Sequence, residues 1–286
     1  MSKNFTGTME SITHLLKTND FYIKKKFGQN FITDQNVLKG IVDAADIKDC
    51  DVIEIGPGLG SLTVHILEQA HSLVSYEIDN DLIPILTDLF KDYDNFTLVH
   101  KDILEVNVDE EIEKHFDGKH KICLVANLPY YITTPIILKL LSETNKIRSY
   151  TMMMQEEVAD RICSKPQVKD YNSLSVCIQY RAKASKVLRI SRNIFIPRPN
   201  VDSAVIRLDL YDELPYKTKY ENYFFKLIRD AFCQRRKTLV NNLKQTGYDK
   251  ERVLEFIHQN NFNEAVRSEQ LSVADFVNLT DFLNKE

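Results

Sequence analysis

Between Asp51 and Met154 the chain alternates short, almost continuous apolar runs with segments whose apolar residues recur at helical spacing. The stretches Asp51 to Ile55, Leu73 to Ile78, Phe96 to His100 and Tyr150 to Met154 read as strands, and Ile122 to Ala126, wholly apolar, reads as a buried one. The segments reaching about Ala70, from Asp81 to Phe90 and from Ile136 to Leu141 carry helical patterns. This alternation predicts an α/β fold, a sheet with helices on both faces. Ahead of it, Asp34 is placed to cap a helix through Val37, Leu38, Ile41 and Val42. Residues 1–20 show little sustained periodicity and are expected to form a flexible leader, with Ile12, Leu15 and Leu16 allowing one short helix. After Met154, a helix is expected from about Glu156, and Leu174 to Tyr180 and Ser203 to Tyr211 read as strands. From residue 213 the pattern is helical, with Phe224, Leu227, Ile228, Ala231 and Phe232, then Val253, Leu254 and Ile257, and a capping pair Ser272 and Asp275 before Phe276. The expected organisation is a domain over residues 21–212 and a small helical domain over 213–286.

Polar residues stand where these strands end, and open α/β sheets bind ligands at such ends. The first strand runs into Gly56-Pro57-Gly58-Leu59-Gly60, where glycine lets the backbone pass close to a ligand. Glu77 closes the second strand about 20 residues later, where such folds place a carboxylate for ribose hydroxyls. A dinucleotide fingerprint needs glycine where Ser61 stands, and Pro57 removes an amide donor, so the turn favours a ligand without phosphates, namely S-adenosylmethionine. Asp102, after the third strand, is an acceptor for an adenine amino group, with the Ile103 amide a donor to the ring; as an alternative, Asp102 caps the following segment.

The fourth strand delivers Asn127-Leu128-Pro129-Tyr130. An amino group on a nucleobase is a poor nucleophile because its lone pair is delocalised into the ring. Accepting hydrogen bonds from both its hydrogens, through the Asn127 side chain and a carbonyl of the Leu128-Pro129 turn, favours the pyramidal nitrogen that attacks a methyl group. Tyr130 offers a ring for an extruded base, worth about 1–3 kcal/mol. A proline-containing turn into the helix starting at Thr133-Thr134-Pro135 is the purely structural alternative.

Composition narrows the class. The chain has 286 residues, of which 43% are hydrophobic, enough for a sizeable core and about two domains. No apolar stretch approaches the roughly 20 residues of a membrane span, and the N-terminus lacks the apolar heart of a signal peptide, so a cytoplasmic protein is expected. The cysteines form no CxxC pair, which suggests neither a disulfide framework nor a metal site. The net charge of -4 conceals three basic clusters: Lys24, Lys25 and Lys26; Arg181, Lys183, Lys186, Arg189, Arg192 and Arg198; and Arg235, Arg236 and Lys237. Together they point to a polyanionic substrate, although the last cluster can equally satisfy carbonyls at a helix end.

An ordered set of segments resembles the ribosomal RNA adenine dimethyltransferase family: Lys26 to Ile32, Glu54 to Gly58, Asn127 to Tyr130, Met154 to Val158, Phe195 to Ala204, and Phe232 to Leu239. The resemblance is to the small-subunit branch more than to the macrolide-resistance branch. It implies a Rossmann-like S-adenosylmethionine-dependent methyltransferase with a helical C-terminal domain. Asn30 and Ile32 would help enclose the cofactor, Gly56 and Gly58 line its methionine end, Glu77 bind its ribose and Asp102 its adenine, and Asn127 join cofactor to target. Tyr130 and Phe195 would sandwich the target adenine. The implied reaction is dimethylation of two adjacent adenosines near the 3′ end of small-subunit ribosomal RNA, by a monomer acting on a small-subunit particle during its maturation. Asn172 stands where the family usually has glycine, and as asparagine it tolerates a left-handed backbone. Three readings compete. The Val201-Asp202-Ser203-Ala204 pattern and helical C-terminus argue against a large-subunit RNA substrate; the intact set Glu77, Asp102, Asn127 and Tyr130 argues against a ribosome-assembly factor with a vestigial site; Pro57 and Ser61 argue against a nicotinamide oxidoreductase.

Overall fold

The structure, a computed structural model, describes residues 7–19 and 30–285. In chain order its elements are α1 (Met9–Thr18), β1 (Phe31–Ile32), α2 (Gln35–Ala45), β2 (Asp51–Ile55), α3 (Ser61–Leu67), β3 (Ser72–Glu77), α4 (Leu82–Phe90), β4 (Phe96–His100), α5 (Val108–His115), β5 (Ile122–Asn127), α6 (Thr133–Glu143) and β6 (Ile147–Gln155). They continue with α7 (Glu156–Cys163), α8 (Ser173–Arg181), β7 (Ala182–Ile190), β8 (Phe195–Ile196), β9 (Ser203–Leu210), α9 (Glu221–Ala231), α10 (Leu239–Gln245), α11 (Lys250–Gln259) and α12 (Val273–Leu283). The chain divides into two compact units, one of the residues up to Ala159 with Ser185–Leu210, the other of Asp160–Ala184 with Tyr211 onward.

The first unit is built on a sheet of order β4-β3-β2-β5-β6-β9-β7, in which β4, β3, β2, β5 and β6 run parallel and β9 is antiparallel to β6. From β2 the chain builds outward to β3 and β4, then returns to lay β5 on the other side of β2. The crevice at this reversal, beyond the carboxyl ends of β2 and β5, is where such sheets hold ligands. Strand β2 is buried throughout, including Asp51 and Glu54, and β5 is buried up to Ala126, which is why β5 reads as a short apolar run. Helix α2 begins as expected, with the Asp34 side chain accepting the Asn36 and Val37 amides.

Within the expected leader, residues 9–18 form the one short helix that Ile12, Leu15 and Leu16 allowed. Thr8 caps α1, and Ile12 is 0% exposed in the unit's core, with Leu15 and Leu16 packed against it. One short apolar face was enough to dock the helix, although it is too brief to show as a sustained period.

The second unit is helical and has its own core, in which Tyr171, Val176 and Tyr180 pack with Phe224, Leu227, Ile228 and Phe276. Its membership differs from a single cut after residue 212, because Asp160–Ala184 belongs to it. The expected strand at Leu174 to Tyr180 is helix α8. Alternating apolar residues there imitate a strand, but a capping box decides otherwise: the Asn172 side chain accepts the Leu174 and Ser175 amides while Ser175 Oγ accepts the Asn172 amide. Asn172 itself is extended (φ -154°) rather than left-handed. Ser272 and Asp275 form the anticipated capping box of α12.

Candidate active site

The sheet register sets the polar strand ends side by side. Ile55 pairs with Tyr76 on one side and Ala126 on the other, Glu77 with His100, and Asn127 with Met153. The glycine turn, Glu77, Asp102 and Asn127 therefore line one cleft of about 1070 Å³ measured to its open mouth. Asn30, Ile32, Ile103, Leu128, Pro129 and Tyr130 line it too. Eleven of the twelve residues expected to bind cofactor or base are thus brought together, Phe195 being the exception.

The glycine turn is left-handed at Gly56, Gly58 and Gly60 (φ 69°, 58° and 80°). A Cβ on Gly58 would meet the Phe31 ring at 3.0 Å, whereas one on Gly56 would meet nothing within 4 Å. A side chain at Gly58 would press on the Phe31 ring, the left-handed backbone favours glycine at both positions, and Gly56 borders open space. The turn's amides are largely committed inside the protein: Gly56 donates to the Tyr76 carbonyl (2.9 Å), Gly60 to the Pro57 carbonyl (2.9 Å) and Gly58 to Glu77 Oε2 (3.3 Å). Few remain to cradle phosphates. Glu77 also accepts the Ile78 and Asp79 amides on Oε1, both at 2.8 Å. Burial raises its pKa, and these amides oppose the rise by favouring the carboxylate.

Asp102 accepts the Leu104 amide on Oδ1 at 2.9 Å, so the turn role is real and leaves Oδ2 for a ligand. At the β5 end, Asn127 Nδ2 donates to the Asn30 carbonyl at 3.3 Å, which directs Oδ1 the other way. The Pro129 carbonyl accepts from both the Ile132 amide and Thr133 Oγ1, at 3.1 Å each, so both lone pairs are used. Of the two turn carbonyls, that of Leu128 accepts from no group among the described residues. The Tyr130 hydroxyl lies 2.8 Å from Ser203 Oγ.

A family model described as ribosomal RNA adenine dimethylase matches residues 20–285. The chain belongs to this family. Among its relatives, the ribosomal RNA small subunit methyltransferase A of Lysinibacillus sphaericus is 45% identical over 275 residues, 94% of this chain and 94% of that one. The protein of the same name from Clostridium botulinum (strain Okra / Type B1) is 46% identical over 263 residues, 92% of this chain and 94% of its own. A solved dimethyladenosine transferase from Plasmodium falciparum superposes with a TM-score of 0.70 at 25% identity, covering 87% of this chain and 95% of that one. The 23S rRNA methyltransferase ErmE shares the fold, with a TM-score of 0.68 at 23% identity and coverage of 89% and 99%. The chain is accordingly a methyltransferase on a methyltransferase sheet.

Phe195 departs from expectation. Its ring is 3% exposed within the core, where β8 pairs with β1, and it does not line the cleft. A two-ring clamp on a base is therefore absent from this structure. Burial won because Phe195 is apolar and flanked by a strand pairing that sequence spacing does not reveal.

Two residues of the glycine segment gain significance. Ser61 Oγ is buried at the cleft with no hydrogen-bond partner among the described residues, a donor that its place in the turn could have flagged. Glu54 lies beneath, taking the Thr63 hydroxyl at 2.8 Å and the Ser75 hydroxyl at 2.7 Å, and burial pushes its carboxyl up to about 7. It ties α3 and β3 to β2.

The basic clusters fare unevenly. Lys24, Lys25 and Lys26 lie outside the described residues. The second cluster, acid-free in sequence, meets acids in space: Arg189 reaches Glu156 at 3.0 Å and Asp202 at 3.6 Å, Lys186 reaches Glu156 at 3.7 Å, and Arg181 reaches Glu221 at 2.9 Å. Arg198 is exposed. In the third, Arg235 donates to the Lys169 carbonyl and Lys237 to Gln245, while Arg236 stays exposed. Among the described residues no cluster of His, Cys, Asp or Glu could hold a metal, and no helix is long and apolar enough to cross a membrane.

Proposed function

We propose that this methyltransferase uses S-adenosylmethionine to dimethylate the exocyclic amino group of two adjacent adenosines near the 3′ end of small-subunit ribosomal RNA, as a monomer acting on a maturing small-subunit particle. The observation that carries the reading is the orientation of the Asn127 amide, held by the Asn30 carbonyl so that Oδ1 is the acceptor offered at the strand end.

The residues present fit the cofactor. Committed turn amides suit a ligand without phosphates, the open side of Gly56 and the orphaned Ser61 hydroxyl suit its amino-acid end, and Glu77 suits a ribose. Asp102 Oδ2 and the Ile103 amide suit an adenine edge, with Asn30 and Ile32 closing the site. When bound, the cofactor supplies a methyl group on a positively charged sulfur, activated for displacement. The chain's part is to present the amine. Asn127 Oδ1 and the Leu128 carbonyl accept its two N–H groups, localising the nitrogen lone pair, and Tyr130 supports the base. No strong base is needed, because the proton leaves after transfer. Positioning carries most of the acceleration.

The test incubates the protein with labelled cofactor and either undermethylated small subunits or large-subunit RNA, then maps the modified base. Dimethylation of two adjacent adenosines near the small-subunit 3′ end is expected. Label confined to large-subunit RNA, or none at all, overturns the reading.

A further inference from the structure

Tyr130 and Ser203 stand 73 positions apart, yet their hydroxyls are 2.8 Å from each other. The two ends of this contact are unequal. Ser203 is 0% exposed, begins β9 and pairs with Gln155 of β6. The residue before it, Asp202, accepts the Glu156 amide on its carbonyl and the Arg192 amide on its carboxylate. Ser203 Oγ is thus a rigid post. Tyr130 follows the end of β5, is only half-buried and lines the cleft, so its ring has more freedom to lose.

We infer that Ser203 is a positioning residue whose hydroxyl holds the far end of the Tyr130 side chain, and so fixes the place of the ring against which the target adenine stacks. The inference rests on the proposed base-supporting role of Tyr130, and the burial of Phe195 gives that ring more of the work. An untethered ring must be ordered when the base arrives, and a tethered one is already in place. Losing the tether should weaken RNA recognition about three- to tenfold. Ser203 does not line the cleft, so cofactor affinity should not change.

A double-mutant cycle of Ser203→Ala, Tyr130→Phe and the pair tests this, with undermethylated small subunits as substrate. Each single change should raise KM for RNA by about three- to tenfold, the pair should be no worse than the worse single, and cofactor Kd should stay at the wild-type value. Stability should split differently. Tyr130→Phe strands a buried serine hydroxyl and lowers Tm more, whereas Ser203→Ala leaves a half-exposed phenol that water can reach. A serine that only supports the fold would lower Tm and leave KM for RNA untouched. That result, or effects that multiply in the pair, overturns the inference. The χ1 rotamer distribution of labelled Tyr130 by NMR reads the tether without RNA: one rotamer in the wild type and averaging over several in Ser203→Ala is expected, and equal distributions overturn the tether whatever the RNA results. Absence of methyl transfer by the wild type would instead count against the proposed function.

Discussion

Along the β2–β4 side of the cleft, polar groups are held mainly by sequence neighbours, whereas on the β5 side they are held by residues far along the chain. Glu77 takes the amides of Ile78 and Asp79 and, 19 positions away, Gly58; Asp102 takes that of Leu104. Asn127 leans on Asn30, 97 positions away, and Tyr130 on Ser203, 73 away. The β2–β4 carboxylates need only consecutive strand–helix units to be held. The Asn127 and Tyr130 side chains are held only after the chain has closed through Asn30 and β9, so they are more exposed to distant substitutions.

The strongest way to break this contrast is Asn127→Ala. It should lower methyl transfer at least about a hundredfold while cofactor binding survives, a magnitude typical of losing one preorganised hydrogen-bonding group. Near-normal turnover in a labelled-methyl assay would remove Asn127 from the mechanism.

Glu54→Gln probes the cofactor side from beneath. The folded state holds the Glu54 proton more tightly than the unfolded chain, because burial moves its pKa from 4.5 to about 7. Stability should therefore fall as pH rises across that interval and level off above it, by as much as about 3 kcal/mol. Denaturation of the variant at pH 5 and pH 8 should lack this slope, and an unchanged slope would assign it elsewhere.

Glu77→Ala should weaken cofactor binding by about ten- to a hundredfold, the loss of a hydrogen bond to a charged group, with KM for RNA unchanged. Calorimetry against RNA kinetics separates the two, and equal losses in both would erase the division between the sides. The smallest effect belongs to Arg236→Ala, outside the cleft. The logarithmic salt dependence of RNA binding should drop by about one contact, and an unaltered slope would make Arg236 a merely solvated charge.

Much of the cleft was legible because each strand is short and followed or closed by a polar residue or glycine turn, and the spacing from the glycines to Glu77 is a local property. The caps at Asp34 and Ser272 were legible for the same reason. Leu174 to Tyr180 misled because its alternation fits a strand, while the competing signal was one asparagine cap and packing against α9. Phe195 misled because an aromatic beside prolines suits a surface platform as well as a core, and only the β1–β8 pairing separates the two. The second basic cluster looked uncompensated because Glu156 and Glu221 lie outside it in sequence.

By itself, then, the sequence determined the parallel strands of the sheet, the kind of polar group at each of the β2–β5 ends and the absence of a phosphate cradle, all matters of residue type and short spacing. Only the tertiary structure decided which end of the Asn127 amide the Asn30 carbonyl holds, that the Pro129 carbonyl is taken up by Ile132 and Thr133, and that Tyr130 lines the cleft while Phe195 is buried. The reason is physical: a side chain's identity is written at its own position, but its direction is chosen by its hydrogen-bond partners, and at the β5 end those lie on other strands and loops.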